Sequence, residues 1–135
     1  MGKRWEERVT DLKNSVSRLE EAVSDYEKYK IESLKDAVIQ RFEFCVELSW
    51  KSLKSYMEIE GINNITTPKQ TIREAFAKEI LKNPEIWIEM LNDRNLTSHI
   101  YDKSVAERIF ENIVKNYLKE IEKNSDFLSS LDVSE

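Results

Sequence analysis

The stretch WEERVTDLKNSVSRLEEAVSDY, residues 5–26, decides the fold class. Its apolar side chains recur at alternating spacings of four and three residues, and they are Trp5, Val9, Leu12, Val16, Leu19, Val23 and Tyr26. This heptad spacing places one narrow apolar stripe along a helix and leaves the remaining, mostly charged surface to water. The stretch therefore predicts a long amphipathic helix that packs against neighbouring helices.

A second long helix is predicted from about residue 32 to residue 60, and Gly61 suits the left-handed position that ends many helices. It carries two apolar stripes. The first contains Leu34, Val38, Cys45 and Leu48, and the second contains Phe42, Val46, Trp50, Leu53 and Met57. A helix that is apolar on two sides is either central in its own bundle or covered by a second chain. Both interpretations stay open, and the second predicts a homodimer whose interface contains the second stripe or the heptad helix.

Three start signals predict shorter helices further along the chain. Residues 67–70 (TPKQ) and 104–107 (SVAE) each fit a capping box, and Pro84 follows Asn83 as a first helical residue. Phe76 is predicted to face inward from the first of these helices. The expected fold is an all-α, antiparallel up-down bundle of four or five helices. We expect a single domain over residues 1–124 and a frayed tail over residues 125–135.

The composition supports this class. The chain has 135 residues, of which only 2 are glycine and 2 are proline, too few for the turns of a sandwich, barrel or α/β sheet. No apolar run approaches the roughly 18 residues of a membrane-spanning helix, and the charged start MGKRWEERVT does not resemble a signal peptide. A single cysteine is consistent with a reducing compartment, so a cytoplasmic location without membrane contact is expected.

The net charge and the residue counts exclude several classes of binding site. With 21 basic and 26 acidic residues the net charge is −5, which argues against broad binding to a phosphate backbone but not against a local cationic pocket. One histidine and one cysteine exclude multi-histidine and cysteine-rich zinc sites within one chain. Neither glycine-rich phosphate loop is present. We therefore expect no metal and no cofactor.

The polar run DRNLTSHIYD, residues 93–102, contains the single histidine, His99. Arg94 precedes it by five residues, about 140° around a regular helix, so the two share a site only if the helix is distorted or a second copy completes it. Arg94 and Tyr101 share a face if the helix continues that far. A guanidinium that binds phosphate and an imidazole that moves protons suffice to cleave a ribose phosphodiester without metal. Capping of a helix end is the alternative role of this pair.

The segment RNLTSHIY, residues 94–101, resembles the R-x4-H-x-Y motif of HEPN-domain proteins. The block RFEFCVELSWK, residues 41–51, resembles the second helix of one HEPN branch, the nucleotidyltransferase substrate-binding proteins, to which TPKQTIREAF and EIWIEMLNDRN are also similar. The resemblance extends over roughly residues 34–121. It implies a dimerising helical bundle and a partner, a minimal nucleotidyltransferase encoded nearby. The chain itself lacks the Gly-Ser and Asp-x-Asp pattern of that transferase.

Some members of the family resemble RNase toxins whose Arg and His line a cleft between two protomers, and the partner acts as antitoxin. Carried onto this chain, the resemblance implies that Arg94 and His99 are catalytic, that Asn95 supports them, and that Tyr101 accepts an adenylyl group. Tyr101 has a second interpretation, as a core residue. The resemblance also makes Arg41, Glu43 and Glu47 candidate contributors from the second helix, although we favour structural pairing for these three.

Two functions fit the sequence. The first is a substrate- or nucleotide-binding subunit of a toxin–antitoxin-like pair, with metal-independent endoribonuclease activity left open. The alternative is a non-catalytic helical adaptor or dimerisation module. RNA and nucleotides are the candidate ligands, and the sequence does not identify which RNA or nucleotide is bound.

Overall fold

The computed structural model describes residues 4–133 and contains helices and no strand within that range. Six α-helices follow one another along the chain: α1 (Trp5–Tyr29), α2 (Ser33–Ile59), α3 (Pro68–Ala77), α4 (Pro84–Asn95), α5 (Lys103–Asn112) and α6 (Leu118–Ser130). A 3-10 turn at Thr97–His99 follows α4, and a π-helical turn at Ile113–Tyr117 joins α5 to α6 without a break. The predicted all-α bundle is confirmed. None of the described helices is long and apolar enough to cross a membrane.

The heptad stripe of α1 is the contact surface predicted from the sequence. Leu12 and Leu19 are fully buried, and α1 packs along the length of α2 and against α6. Lys30 ends α1 in a left-handed conformation with φ 54°, and α2 begins three residues later. The two long helices therefore form an antiparallel hairpin that is the base of the bundle.

Helix α2 is the central helix, since it contacts each of the other five. The stripe residues Phe42, Val46, Leu53 and Met57 are fully buried and Trp50 is half-buried. The chain's own helices cover this stripe, so the prediction that it forms a dimer interface is wrong. A dimer interface on the heptad helix, whose other faces are exposed, stays a prediction. Phe44, which lies off both stripes, is instead 55% exposed. Gly61 adopts φ 92°, as predicted, and Ile62 N–H donates to Met57 O, which closes the helix.

Local capping follows the sequence at α3 and departs from it at α5. Gln70 N–H donates to Thr67 Oγ1 at 3.1 Å while the Gln70 side chain accepts from Thr67 N–H, so the capping box is confirmed. Helix α5 begins two residues earlier than the SVAE pattern predicts, because the Asp102 carboxylate accepts from the Ser104 N–H at 3.0 Å. Phe76 is 50% exposed rather than inward, since the buried face of α3 centres on Thr71, Ile72 and Ala75.

The C-terminal segment is ordered further than expected. Helix α6 continues to Ser130 and packs against α1 and α2, with Ser125 and Leu128 buried. The frayed tail expected from residue 125 is therefore wrong as far as Ser130, because an apolar side chain anchors the last turns in the core. Residues 134 and 135, which end the expected tail, lie outside the described residues.

Candidate functional site

The motif residues lie where α4 ends. Arg94 and Asn95 form its last turn, and the chain then tightens into the 3-10 turn that contains His99. His99 N–H donates to Leu96 O at 2.9 Å, and Asp102 N–H donates to His99 O at 3.1 Å. The five-residue spacing from Arg94 to His99 is thus not spanned by a regular helix. The face shared by Arg94 and Tyr101 in an uninterrupted helix does not form, because α4 stops at Asn95.

His99 and Tyr101 are in direct contact. Nδ1 of His99 lies 3.0 Å from the Tyr101 hydroxyl, and the two ring centroids are 5.7 Å apart. The Tyr101 side chain is 82% exposed, so its interpretation as a core residue is wrong. His99 is exposed as well. An imidazole and a phenol therefore form a hydrogen-bonded pair that solvent and large ligands can reach.

Glu47 holds Arg94 from the neighbouring helix. Arg94 Nη2 lies 3.5 Å from Glu47 Oε2, and each of these side chains is about one-third exposed. The same carboxylate oxygen accepts from Trp50 Nε1 at 3.2 Å. Arg94 Nε is buried and has no hydrogen-bond partner among residues 4–133. The guanidinium is therefore fixed on one side and has an unused donor.

Glu43 ties α2 to the motif turn. Thr97 Oγ1 lies 3.1 Å from Glu43 Oε2 and 2.8 Å from the Arg94 carbonyl oxygen. Glu43 and Glu47 thus both contact the motif segment, as candidate contributors from the second helix. Arg41 does not, because its Nη1 donates to Arg18 O at 2.8 Å and lies 3.8 Å from Glu21. Arg41 joins α1 to α2, the structural role favoured for it from the sequence.

A cavity of about 360 Å³ opens beside Arg94, between α2, the start of α3 and α4. Its lining residues are Val46, Glu47 and Trp50 of α2, residues 67–69, and Leu91, Arg94 and Asn95 of α4. Asn95 is exposed. The lining contains two cations, Lys69 and Arg94, one carboxylate, Glu47, and the aromatic ring of Trp50. Within the described range, no group of three or more His, Cys, Asp or Glu side chains is arranged to hold a metal ion.

Sequence reasoning missed Asp93, the residue before Arg94. Its carboxylate is 3% exposed and accepts from Arg108 Nη1 at 2.7 Å, Asn112 Nδ2 at 3.0 Å and Tyr117 Oη at 2.6 Å. The hydrogen bond that Arg108 donates to Asp93 raises the pKa of Arg108, while burial and the hydrogen bond to Asp93 raise the pKa of Tyr117. The sequence signal for the burial of Asp93 was its position three residues after Met90, on the same face of the helix as that buried side chain. This network fixes the end of α4 from which Arg94 projects.

Known proteins resemble this chain in sequence and in structure. The sequence model of the family described as "Nucleotidyltransferase substrate binding protein like" matches residues 7–130. The chain is 33% identical over 79 residues to the probable ribonuclease HepT of Haemophilus influenzae, an alignment that covers 56% of this chain and 54% of that protein. The chain thus spans about half the length of this curated relative.

Two solved structures share the fold. A protein from Thermus thermophilus superposes with a TM-score of 0.67 at 30% identity, over 82% of this chain and 98% of that one. A tri-AMPylated Shewanella oneidensis HEPN toxin, in complex with MNT antitoxin, superposes with a TM-score of 0.75 over 97% of this chain and 100% of that one. The second is 16% identical, so it shows the fold alone. Together with the family match, these similarities show that the chain belongs to the nucleotidyltransferase substrate-binding protein-like family and has the HEPN helical fold.

Proposed function

We propose that this chain is the toxin-like member of a two-component pair. It cleaves RNA without a metal ion and is controlled by a minimal nucleotidyltransferase. The observation that carries the proposal is the 3.0 Å contact between His99 and the 82% exposed Tyr101, a short distance along the chain from Arg94. The candidate acid–base group and the candidate acceptor hydroxyl thus lie on one exposed turn, and the candidate phosphate-binding cation lies at the end of the preceding helix. The similarity in sequence to a probable ribonuclease supports the same assignment, and the fold is shared with an AMPylated toxin.

In the proposed reaction, His99 accepts the proton of a ribose 2′-hydroxyl. The 2′-oxygen attacks the adjacent phosphorus, and Arg94 stabilises the charge on the phosphate oxygens. The bond from phosphorus to the 5′-oxygen breaks, and that oxygen leaves with a proton from a general acid. The products are a 2′,3′-cyclic phosphate and a 5′-hydroxyl.

Each chain has a single histidine, so we assign the general acid to His99 of a second copy. The active protein is then a homodimer with the motif turns of both copies lining one cleft. The exposed apolar side chains Leu96 and Tyr101 support an interface at this end of the bundle. Light scattering is expected to give twice the chain mass of 16.0 kDa, and a monomer mass at micromolar concentration would contradict the composite cleft.

The partner controls the site by transferring an adenylyl group from ATP to Tyr101. The Tyr101 oxygen bonds to the α-phosphorus, pyrophosphate leaves, and the phenolic proton passes to a base of the partner enzyme. The resulting phosphodiester is anionic and bulky. It competes with RNA phosphate for Arg94 and blocks access to His99, which switches cleavage off without unfolding the bundle.

The decisive experiment incubates purified chain with RNA in EDTA. Wild-type protein is expected to cleave, and His99→Ala and Arg94→Ala are expected to lose about 10²–10⁴-fold in rate. Arg73→Ala, at an exposed arginine of α3, is the matched control. Cleavage that survives His99→Ala contradicts the mechanism, and no cleavage by wild-type protein favours the non-catalytic adaptor.

Modification is tested separately by intact-mass spectrometry after coexpression with the partner. We expect a gain of one or more adenylyl units that is absent in Tyr101→Phe and retained in Tyr29→Phe, whose side chain is also exposed, at 56%. A gain that persists in Tyr101→Phe would remove Tyr101 as the acceptor.

A further inference from the structure

We infer that the cavity between α2, α3 and α4 is a base-binding subsite. It holds the base of a nucleotide whose phosphate lies on Arg94, and it prefers bases that carry an exocyclic amino group. The inference rests on the proposed function for its RNA substrate, whereas binding of a free mononucleotide is independent of it. The chemistry recognised is a nucleoside monophosphate unit, either within RNA or free in solution.

The size and position of the cavity suit this ligand. Its volume of about 360 Å³ lies in the range of small-molecule sites. Arg94 belongs both to the motif and to the cavity lining, whereas His99 and Tyr101 lie outside that lining. A nucleotide with its phosphate on Arg94 can therefore direct its base into the cavity and leave the reacting bonds toward His99.

The walls provide a stacking surface. The half-buried Trp50 lines the cavity, and Val46, Pro68 and Leu91 supply apolar surface around it. The Trp50 ring is held in place because its Nε1 donates to Glu47 at 3.2 Å. Stacking of a base on an aromatic side chain contributes substantially to binding and tolerates every base, so Trp50 supplies affinity rather than selectivity.

The charges supply the phosphate contact. The Nη2 contact of Arg94 with Glu47 is long, at 3.5 Å, and the Arg94 side chain is 33% exposed, so the guanidinium can bind a phosphate as well. Lys69 places a second cation on the same cavity. These two cations exceed the single carboxylate in the lining, in a chain whose net charge is −5. The cavity is thus a local cationic site on an acidic protein, which is what an anionic phosphate requires.

Glu47 supplies the base preference. Its contacts with Arg94 and Trp50 both involve Oε2. Within the described part of the chain Oε1 has no such contact, so it can accept from a ligand. A carboxylate accepts from the amino groups of adenine, cytosine or guanine, as in the known contact of Glu with cytosine N4. Uracil has no amino group and carries O4 where cytosine carries N4, so its ring N3–H is its one base donor to the carboxylate and O4 is repelled by it. Discrimination against uracil follows from this arrangement.

Tryptophan fluorescence tests the subsite directly. Trp5 and Trp87 are buried, at 4% and 0% exposure, so a base that enters the cavity quenches Trp50. We expect saturable quenching by 5′-AMP, 5′-CMP and 5′-GMP, with 5′-UMP at least about tenfold weaker and ribose 5-phosphate without effect. Trp50→Phe is expected to remove the quenching, and Phe44→Leu, at an exposed aromatic residue of the same helix, to retain it.

Glu47→Gln tests the selectivity, because its amide both donates and accepts. It is expected to bring 5′-UMP to within about twofold of 5′-CMP, while Glu58→Gln, at an exposed position of α2, keeps the preference. Equal binding of 5′-UMP and 5′-CMP by wild-type protein would overturn the base preference. Absence of quenching by all four nucleotides at millimolar concentration, or the same quenching in Trp50→Phe, would overturn the subsite.

Oligonucleotides separate the two sources of ligand. In the His99→Ala background, which prevents cleavage, oligo(A) is expected to bind at least about tenfold more tightly than oligo(U) if the base belongs to RNA. Binding of 5′-AMP without this difference supports a site for free nucleotide and overturns its use by RNA. If wild-type protein binds 5′-AMP but does not cleave RNA, the proposed ribonuclease activity is refuted and the base-binding subsite still stands.

Discussion

The hydroxyl of Tyr117 lies 2.6 Å from Oδ2 of Asp93 in the interior of the bundle. Tyr117 ends the π-helical turn between α5 and α6, and Asp93 directly precedes Arg94 in α4. The buried Tyr117 ring stacks on Phe42, with ring centroids 5.5 Å apart. The π turn thus places the Tyr117 hydroxyl beside the end of α4, the helix that bears the motif. Such turns are rare and frequent at functional sites. Here the π turn helps to position the neighbouring helix α4 rather than to bind a ligand.

Tyr117→Phe is expected to lower the free energy of unfolding by about 1–3 kcal/mol, because a buried carboxylate loses one of its donors. Urea unfolding followed by circular dichroism measures the change. Tyr29→Phe removes a hydroxyl from an exposed tyrosine and is expected to leave stability unchanged. Equal stability of the two variants would mean that the Asp93 network does not support the end of α4.

A pair of carboxylates between α1 and α6 makes stability depend on pH. A hydrogen bond with Glu20, together with burial, raises the pKa of Glu122 from 4.5 to about 7, and Asp126 adds repulsion. The folded state therefore holds a proton that the unfolded chain releases. The associated stability is complete below about pH 4.5 and is lost as pH rises through about 7.

Glu122→Gln keeps the hydrogen-bonding shape without the charge, so it is expected to stabilise the protein by about 1 kcal/mol at high pH, after allowance for solvent screening. At low pH the variant and wild-type protein are expected to match. Unfolding measured on both sides of the transition checks this, with Glu111→Gln on the exposed surface of α5 as control. A Glu122→Gln effect that does not change with pH would contradict the shared proton.

The bundle was predictable because its long helices obey simple periodicities. The heptad stripe of α1 and the Thr67–Gln70 box specify their own local structure. It was not predictable that the chain's own helices, rather than a second chain, bury the two stripes of α2. That burial depends on where four segments distant in sequence pack. The π turn was not predictable either, because the apolar spacing of residues 109–121 also fits an uninterrupted α-helix. The tail was misjudged because Leu128 gains its burial from α1 and α2, a contact with no local signal.

The motif segment was predictable as a chemical set but not as a geometry. Arg94, His99 and Tyr101 were identified from residue type and spacing. The turn that separates His99 and Tyr101 from Arg94 at the end of α4 depends on local bonds such as His99 N–H to Leu96 O. The cavity beside Arg94 was not predictable, because its walls come from three segments distant in sequence.

Two residues, Asp102 and Ser104, are candidates for the N-cap of α5. The structure assigns the cap to Asp102, whose pKa lies below its ordinary 3.8 because its carboxylate accepts from Ser104. Asp102→Ala is expected to lower the thermal midpoint more than Ser104→Ala, and the difference is expected to vanish as the medium is acidified through the lowered pKa. Differential scanning calorimetry at neutral and strongly acidic pH decides this. A larger loss in Ser104→Ala would restore the cap predicted from the sequence.

The contact between His99 and Tyr101 also predicts a tautomer. A general base that faces RNA through Nε2 needs its proton on Nδ1, where the Tyr101 oxygen, 3.0 Å away, can accept it. Because the chain has one histidine, nitrogen-15 NMR at about pH 8.5 reports this ring alone. We expect the Nδ1–H form to dominate in wild-type protein and the Nε2–H form to increase in Tyr101→Phe, which lacks the acceptor. Tyr29→Phe is expected to match wild-type protein. The same tautomer ratio in Tyr101→Phe and wild-type protein would show that Tyr101 does not orient the imidazole, whether or not it is adenylylated.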